Sequence, residues 1–96
     1  MKKILAIDDN KINIELLANI IRKNYRDYLF IGCANGAYGI SLAKKELPEV
    51  ILLDILMPEL NGYEVCRILK DDEKTKNIPI LIISALGNDT NERTKG

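Results

Sequence analysis

Three apolar runs in this chain end on groups that can do chemistry. "KILAIDD" ends on Asp8 and Asp9, "VILLD" ends on Asp54, and "PILIIS" ends on Ser84 with Ala85 behind it. Three carboxylates gathered at one place repel, and a divalent cation relieves that repulsion. A few hard oxygen donors, with positions left for water and phosphate, suit Mg²⁺ better than zinc. Beside such a cation Asp54 is a candidate nucleophile toward a phosphoryl group, giving an acyl phosphate. The metal would offset charge on the phosphoryl oxygens, and the Ser84 hydroxyl could donate to one of them. Pro58 and Gly62 follow Asp54 at spacings that force the next segment to turn.

These residues meet only if the elements carrying them lie side by side. Residues 3–8 read as a short apolar strand. Asn10 is placed to cap a helix over 12–21, where Ile12, Leu16, Leu17, Ile20 and Ile21 recur at helical spacing. Residues 28–33, "YLFIGC", read as a second strand. Asn35-Gly36 opens a helix over 37–46 with Ile40 and Ala43 inward, weakened by Gly39 and stopped by Pro48. The third strand is 50–54. Asn61 and Glu64 have capping-box spacing, and the helix behind them runs to Asp71 with Tyr63, Cys66 and Leu69 on one side. The charge run 70–76 reads as a solvated helix end and loop. Residues 79–84 form a fourth strand, and Asp89 with Glu92 marks another helix start.

The order is βαβαβαβ(α). Strands 1, 3 and 4 are continuous apolar runs, which a parallel sheet covered on both faces requires. The fold class is therefore α/β, a doubly wound parallel sheet with right-handed crossovers. In such a sheet, sites gather at the carboxyl ends of the strands. Asp8, Asp9, Asp54 and Ser84 all fall on that rim.

Bulk composition narrows the function. The chain has 96 residues, 47% hydrophobic and 29% charged, enough for one small folded domain over 1–96. Fourteen basic residues balance fourteen acidic ones, so no basic excess points to nucleic acid or to an anionic membrane. No run reaches membrane-spanning length, and "MKKILAIDDN" meets acid too early for a signal peptide. A cytoplasmic location is the resulting expectation. Cys33 and Cys66 fall in separate elements and read as reduced, buried thiols. The absence of histidine excludes a histidine triad, a His-rich zinc site and a phosphohistidine donor on this chain.

With these residues in this order, the chain resembles a receiver domain of two-component response regulators, along its whole length. The resemblance implies a flavodoxin-like sheet of strand order 2-1-3-4, with a fifth strand and helix absent from residues 1–96. It implies that Asp54 is the phosphoacceptor. Asp9, Asp54 and the Leu56 carbonyl would ligate Mg²⁺, with Asp8 acting through water. Ser84 and the Ala85 N–H would receive the phosphoryl oxygens, while Pro58 and Gly62 shape the neighbouring loop. A sensor histidine kinase or phosphotransfer protein would be the phosphoryl donor. The domain itself would be no enzyme. The stretch "GYEVCRILKDDEKTKNIPILIISA" is similar to receivers attached to cyclic-dinucleotide synthases.

The family pattern continues past a fourth helix to a fifth strand ending in a lysine. Lys95 falls too early to be that residue. Three expectations follow: a truncated receiver, impaired phosphotransfer, and a fourth strand left as an edge. Uncovered apolar area of a few hundred Å² costs on the order of 5–10 kcal/mol, comparable to the stability of a small domain. Self-association through the strand 4 edge or the uncovered sheet face is therefore expected. The competing reading is a receiver-like scaffold that no longer switches. A phosphatase of the haloacid-dehalogenase type would want D-x-D where this chain has adjacent Asp8-Asp9. A dinucleotide site fails because "GCANGAYG" is not G-x-G-x-x-G and follows the second strand.

Overall fold

The computed structural model describes residues 2–55 and 61–83. Four strands, β1 (Lys2–Ile7), β2 (Tyr28–Cys33), β3 (Val50–Leu53) and β4 (Ile80–Ile82), alternate with three helices. The helices are α1 (Lys11–Asn24), α2 (Gly36–Glu46) and α3 (Gly62–Asp71). All strand pairs are parallel, in the order β2-β1-β3-β4. This is the expected doubly wound sheet, within a residue or two at most boundaries. The predicted helix start at Asp89 and Glu92 lies outside the described residues.

Alternation along the strands sends side chains to two cores. Leu5, Ile7, Ile51 and Leu53 point to one face, where Ile40 and Ala43 of α2 and Val65 and Leu69 of α3 cover them. Ile4, Ala6 and Leu52 point to the other, packed by Ile21 of α1 with Ile14 and Leu17 beside it. With both faces covered, the central strands carry no polar alternation. Burying each fully enclosed Leu or Ile is worth about 1.5–3 kcal/mol.

Each helix begins on an asparagine cap. Asn10 Oδ1 accepts from the Ile12 N–H at 2.9 Å, Asn35 from Tyr38 at 2.8 Å and Asn61 from Glu64 at 3.0 Å. Gly39, which weakens α2 on propensity alone, is required by packing. A Cβ there would meet the Ile7 Cδ1 at 2.6 Å, so the glycine lets α2 lie directly on β1. The helix ends at Leu47, whose φ of 47° is left-handed, and Pro48 follows.

Three expectations are corrected. The inward face of α1 is Ile14, Leu17, Ala18 and Ile21, and the expected Ile12, Leu16 and Ile20 are 70%, 52% and 49% exposed. The helix carries two apolar stripes on opposite sides, and the sheet can take only one. On α3, Tyr63 is exposed while Val65 and Leu69 are buried, because Tyr63 lies about 120° around the helix from Leu69. The charged run 70–76 is not wholly solvated. Within it Thr75 is fully buried, and its hydroxyl donates to the Leu69 carbonyl at 2.6 Å, satisfying one of the last carbonyls of α3. Beside it the Lys70 ammonium donates to the Lys76 and Ile78 carbonyls.

Candidate functional site

The sheet's own ladder builds the site. Ile7 and Leu53 are partners in register, so the residues after them, Asp8 and Asp54, leave adjacent strands side by side. Backbone bonds continue past the strand ends. The Asp8 N–H donates to the Cys33 carbonyl at 2.9 Å, and the Asp54 N–H donates to the Ile7 carbonyl at 3.0 Å. On the far side the Ile83 N–H donates to the Leu53 carbonyl at 2.9 Å. Both acidic residues therefore inherit the rigidity of the central strands.

Asp8, Asp9 and Asp54 each offer one carboxylate oxygen, and these three oxygens lie within 4.8 Å of one another. Asp8 is fully buried and Asp54 nearly so, while Asp9 is exposed at the mouth. Burying a carboxylate is costly unless it is hydrogen-bonded. Asp8 meets that requirement on both oxygens: Oδ1 accepts from the Asn10 N–H at 2.9 Å, and Oδ2 accepts from the Asn13 amide nitrogen at 3.2 Å. The α1 N-terminus starts just beyond, and its partial positive charge favours anions there.

Close backbone approach fixes the other side. The Gly62 N–H, at the start of α3, donates to the Ile55 carbonyl at 3.1 Å. A Cβ on Gly62 would overlap the Ile55 Cα and come within 2.6 Å of the Asp54 carbonyl oxygen. Gly62 thus seats α3 directly beneath the segment that carries Asp54.

The donor set is all oxygen. Cys33, the nearest thiol in sequence to the rim, turns its Sγ to the Asn35 carbonyl at 3.1 Å. Three carboxylates with one open at the mouth match the requirements of a hard divalent cation, and the absence of nitrogen and sulfur ligands disfavours zinc.

Of the residues expected from sequence, Asp8, Asp9 and Asp54 come together, and Gly62 packs against the last. Leu56, Pro58, Ser84 and Ala85 lie outside the described residues. The sequence reading missed Asn13. Its only signal was a second polar residue in the first turn of a helix whose cap, Asn10, was already assigned.

Residues 4–95 match the family described as "Response regulator receiver domain". Response regulator PleD of Caulobacter vibrioides is 39% identical over 84 residues, which is 88% of this chain but 18% of PleD. The chain therefore spans less than a fifth of that relative's length. The polar-differentiation response regulator DivK of Brucella anthropi is 34% identical over 88% of this chain and 67% of its own length. Among solved structures, the Vibrio cholerae chemotaxis protein CheY4 superposes with a TM-score of 0.81 at 24% identity, covering 100% of this chain and 78% of its own. The receiver domain of the sensor histidine kinase PA1611 from Pseudomonas aeruginosa, whose structure holds a magnesium ion in its active-site cleft, superposes with a TM-score of 0.80 at 24% identity. That match covers 96% of this chain and 74% of the PA1611 domain.

Proposed function

The chain belongs to the response regulator receiver family, and from that premise we propose that it is a phosphoacceptor module of a two-component phosphorelay, with Asp54 as the acceptor. The reading rests on one observation above the rest: the convergence of Asp8, Asp9 and Asp54 at the carboxyl ends of two neighbouring parallel strands. An Asp54 carboxylate oxygen attacks the phosphorus of a phosphohistidine on a histidine kinase or phosphotransfer protein. The new P–O bond forms as the P–N bond breaks, and the imidazole leaves. Asp9, Asp54 and the Leu56 carbonyl would hold Mg²⁺, with Asp8 reaching it through water. When bound, that ion offsets negative charge on the phosphoryl oxygens. Ser84 and the Ala85 N–H would donate to those oxygens, and Pro58 and Gly62 would shape the loop beside Asp54, as the family resemblance implies. The exposed ridge of Ile12, Leu16 and Ile20, which starts just beyond Asp9, is the surface we assign to the donor protein. The domain is a substrate of its donor, not an enzyme in its own right.

A second reading, a non-switching scaffold, is favoured by β4. There Leu81 and Ile82 are 57% and 41% exposed, one toward each face of the sheet. Two copies pairing along β4 would satisfy its outer backbone groups and partly cover both side chains.

Incubation with acetyl phosphate and Mg²⁺, read by intact mass, tests the first reading. One added phosphoryl group is expected on the wild type and none on Asp54→Asn. A chain that takes up neither acetyl phosphate nor beryllofluoride at millimolar Mg²⁺, yet sediments as a dimer, belongs to the second reading. A monomer in the ultracentrifuge sinks the second.

A further inference from the structure

Asp8, Asn10 and Asn13 form a closed set of hydrogen bonds. The Asn10 N–H donates to Asp8 Oδ1, the Asn13 Nδ2 donates to Asp8 Oδ2, and the Asn13 N–H donates to Asn10 Oδ1 at 3.4 Å. In the usual capping box the third helical residue reaches back to the backbone N–H of the cap. Here that N–H is already taken by Asp8, and the Asn13 side chain passes it by to reach the carboxylate itself. A carboxylate only accepts, so the amide must present its nitrogen and not its oxygen. Asn13 is half-buried, its main chain held by the cap and its side chain by Asp8.

Three features of this arrangement bear on the acidic cluster. First, with both Asp8 oxygens tied, the carboxylate has one orientation relative to Asp9 and Asp54. Second, the amide satisfies a fully buried oxygen that would otherwise carry a desolvation cost. Third, the amide is neutral. A lysine at this position could make the same hydrogen bond, but it would bring a positive charge to three clustered carboxylates and compete with a cation for them.

We propose that Asn13 is a positioning residue of the metal centre: it orients Asp8 by a neutral hydrogen bond and adds no charge to the cluster. This rests on the reading that Asp8, Asp9 and Asp54 bind Mg²⁺. Outer partners of metal-binding groups typically alter affinity by about 10- to 100-fold, and that is the range expected here.

The test is a Mg²⁺ titration of the 96-residue chain followed by amide NMR, with thermal melts in EDTA alongside. Asn13→Leu keeps the shape and removes the donor, and Asn13→Lys keeps a donor and adds charge. The leucine variant should bind Mg²⁺ about 10- to 100-fold more weakly. The lysine variant should bind more weakly still, yet melt at a higher temperature than the leucine variant without metal. A merely structural role would move stability and affinity in the same direction for both. Leucine and wild-type affinities within twofold overturn the proposal, as does a lysine variant that binds like wild type. If the leucine variant fails to melt cooperatively, the lysine comparison decides alone. A wild type that binds no Mg²⁺ overturns both the metal-site reading and this inference; a wild type that binds while the variants match it overturns only the inference.

Discussion

At the scale of single residues, the acids were legible and their supports were not. Asp8, Asp9 and Asp54 announce themselves because each ends an apolar run, and parallel strands bring such ends together. Asn13 and Gly62 act through contacts that spacing alone does not reveal. Gly62 was expected to shape a loop; it is also where α3 packs against the backbone of Asp54 and Ile55. Gly62→Ala should therefore destabilise the fold by about 1–3 kcal/mol, the usual range for overpacking. It should also weaken Mg²⁺ binding, because relief of the clash requires Asp54 and Ile55 to move. Urea denaturation and a metal titration measure the two effects; an alanine variant that matches wild type in both would refute the account.

At the scale of elements, the strands were read from the sequence almost residue by residue, and the helices were read in extent but not in rotation. The reason lies in their residues. From Ile4 to Ile7 on β1, and throughout β3, every position is apolar, so either face buries. On α1 both the 12-16-20 and the 14-17-18-21 stripes satisfy helical periodicity, and only contact with the sheet selects between them. The end of α2 carries a different cost. Leu47 holds a left-handed conformation that glycine adopts freely, and its side chain is largely exposed, so little packing compensates. Leu47→Gly should raise stability by about 1 kcal/mol, seen as a higher urea midpoint with an unchanged slope.

At the scale of the whole molecule, two ion pairs tie α2 to its neighbours. Lys3 on β1 meets Glu46 at 2.8 Å, and Lys44 meets Asp72, beyond α3, at 3.2 Å. The hydrogen bond and charge of Lys3 hold the Glu46 carboxyl below its ordinary range. The Lys74 backbone N–H, then Lys44, does the same for Asp72. Carboxyls lowered in the folded state contribute stability above their unfolded values and lose it as pH falls through the folded ones. The double variant Glu46→Gln, Asp72→Asn should be less stable than wild type near neutrality. The gap should close as the pH drops below the ordinary carboxylate range, in urea midpoints taken across a pH series. The α/β architecture was legible because the apolar runs and capping asparagines agree with each other, while the strand order followed from the family resemblance. These cross-links were not, since each joins residues far apart in sequence.

Parallel strands impose one more property. Because every strand runs the same way, every helix returns the opposite way, so α1, α2 and α3 all start at the acidic rim and finish at the other end. Their last turns carry Arg22 and Lys23, Lys44 and Lys45, and Lys70. Among the described residues, the three clustered carboxylates thus lie at one end of the strands and these basic last turns at the other, a separation of charge that turns an approaching ion or partner end-on. That orienting torque exists before any contact is made, and it weakens with added salt.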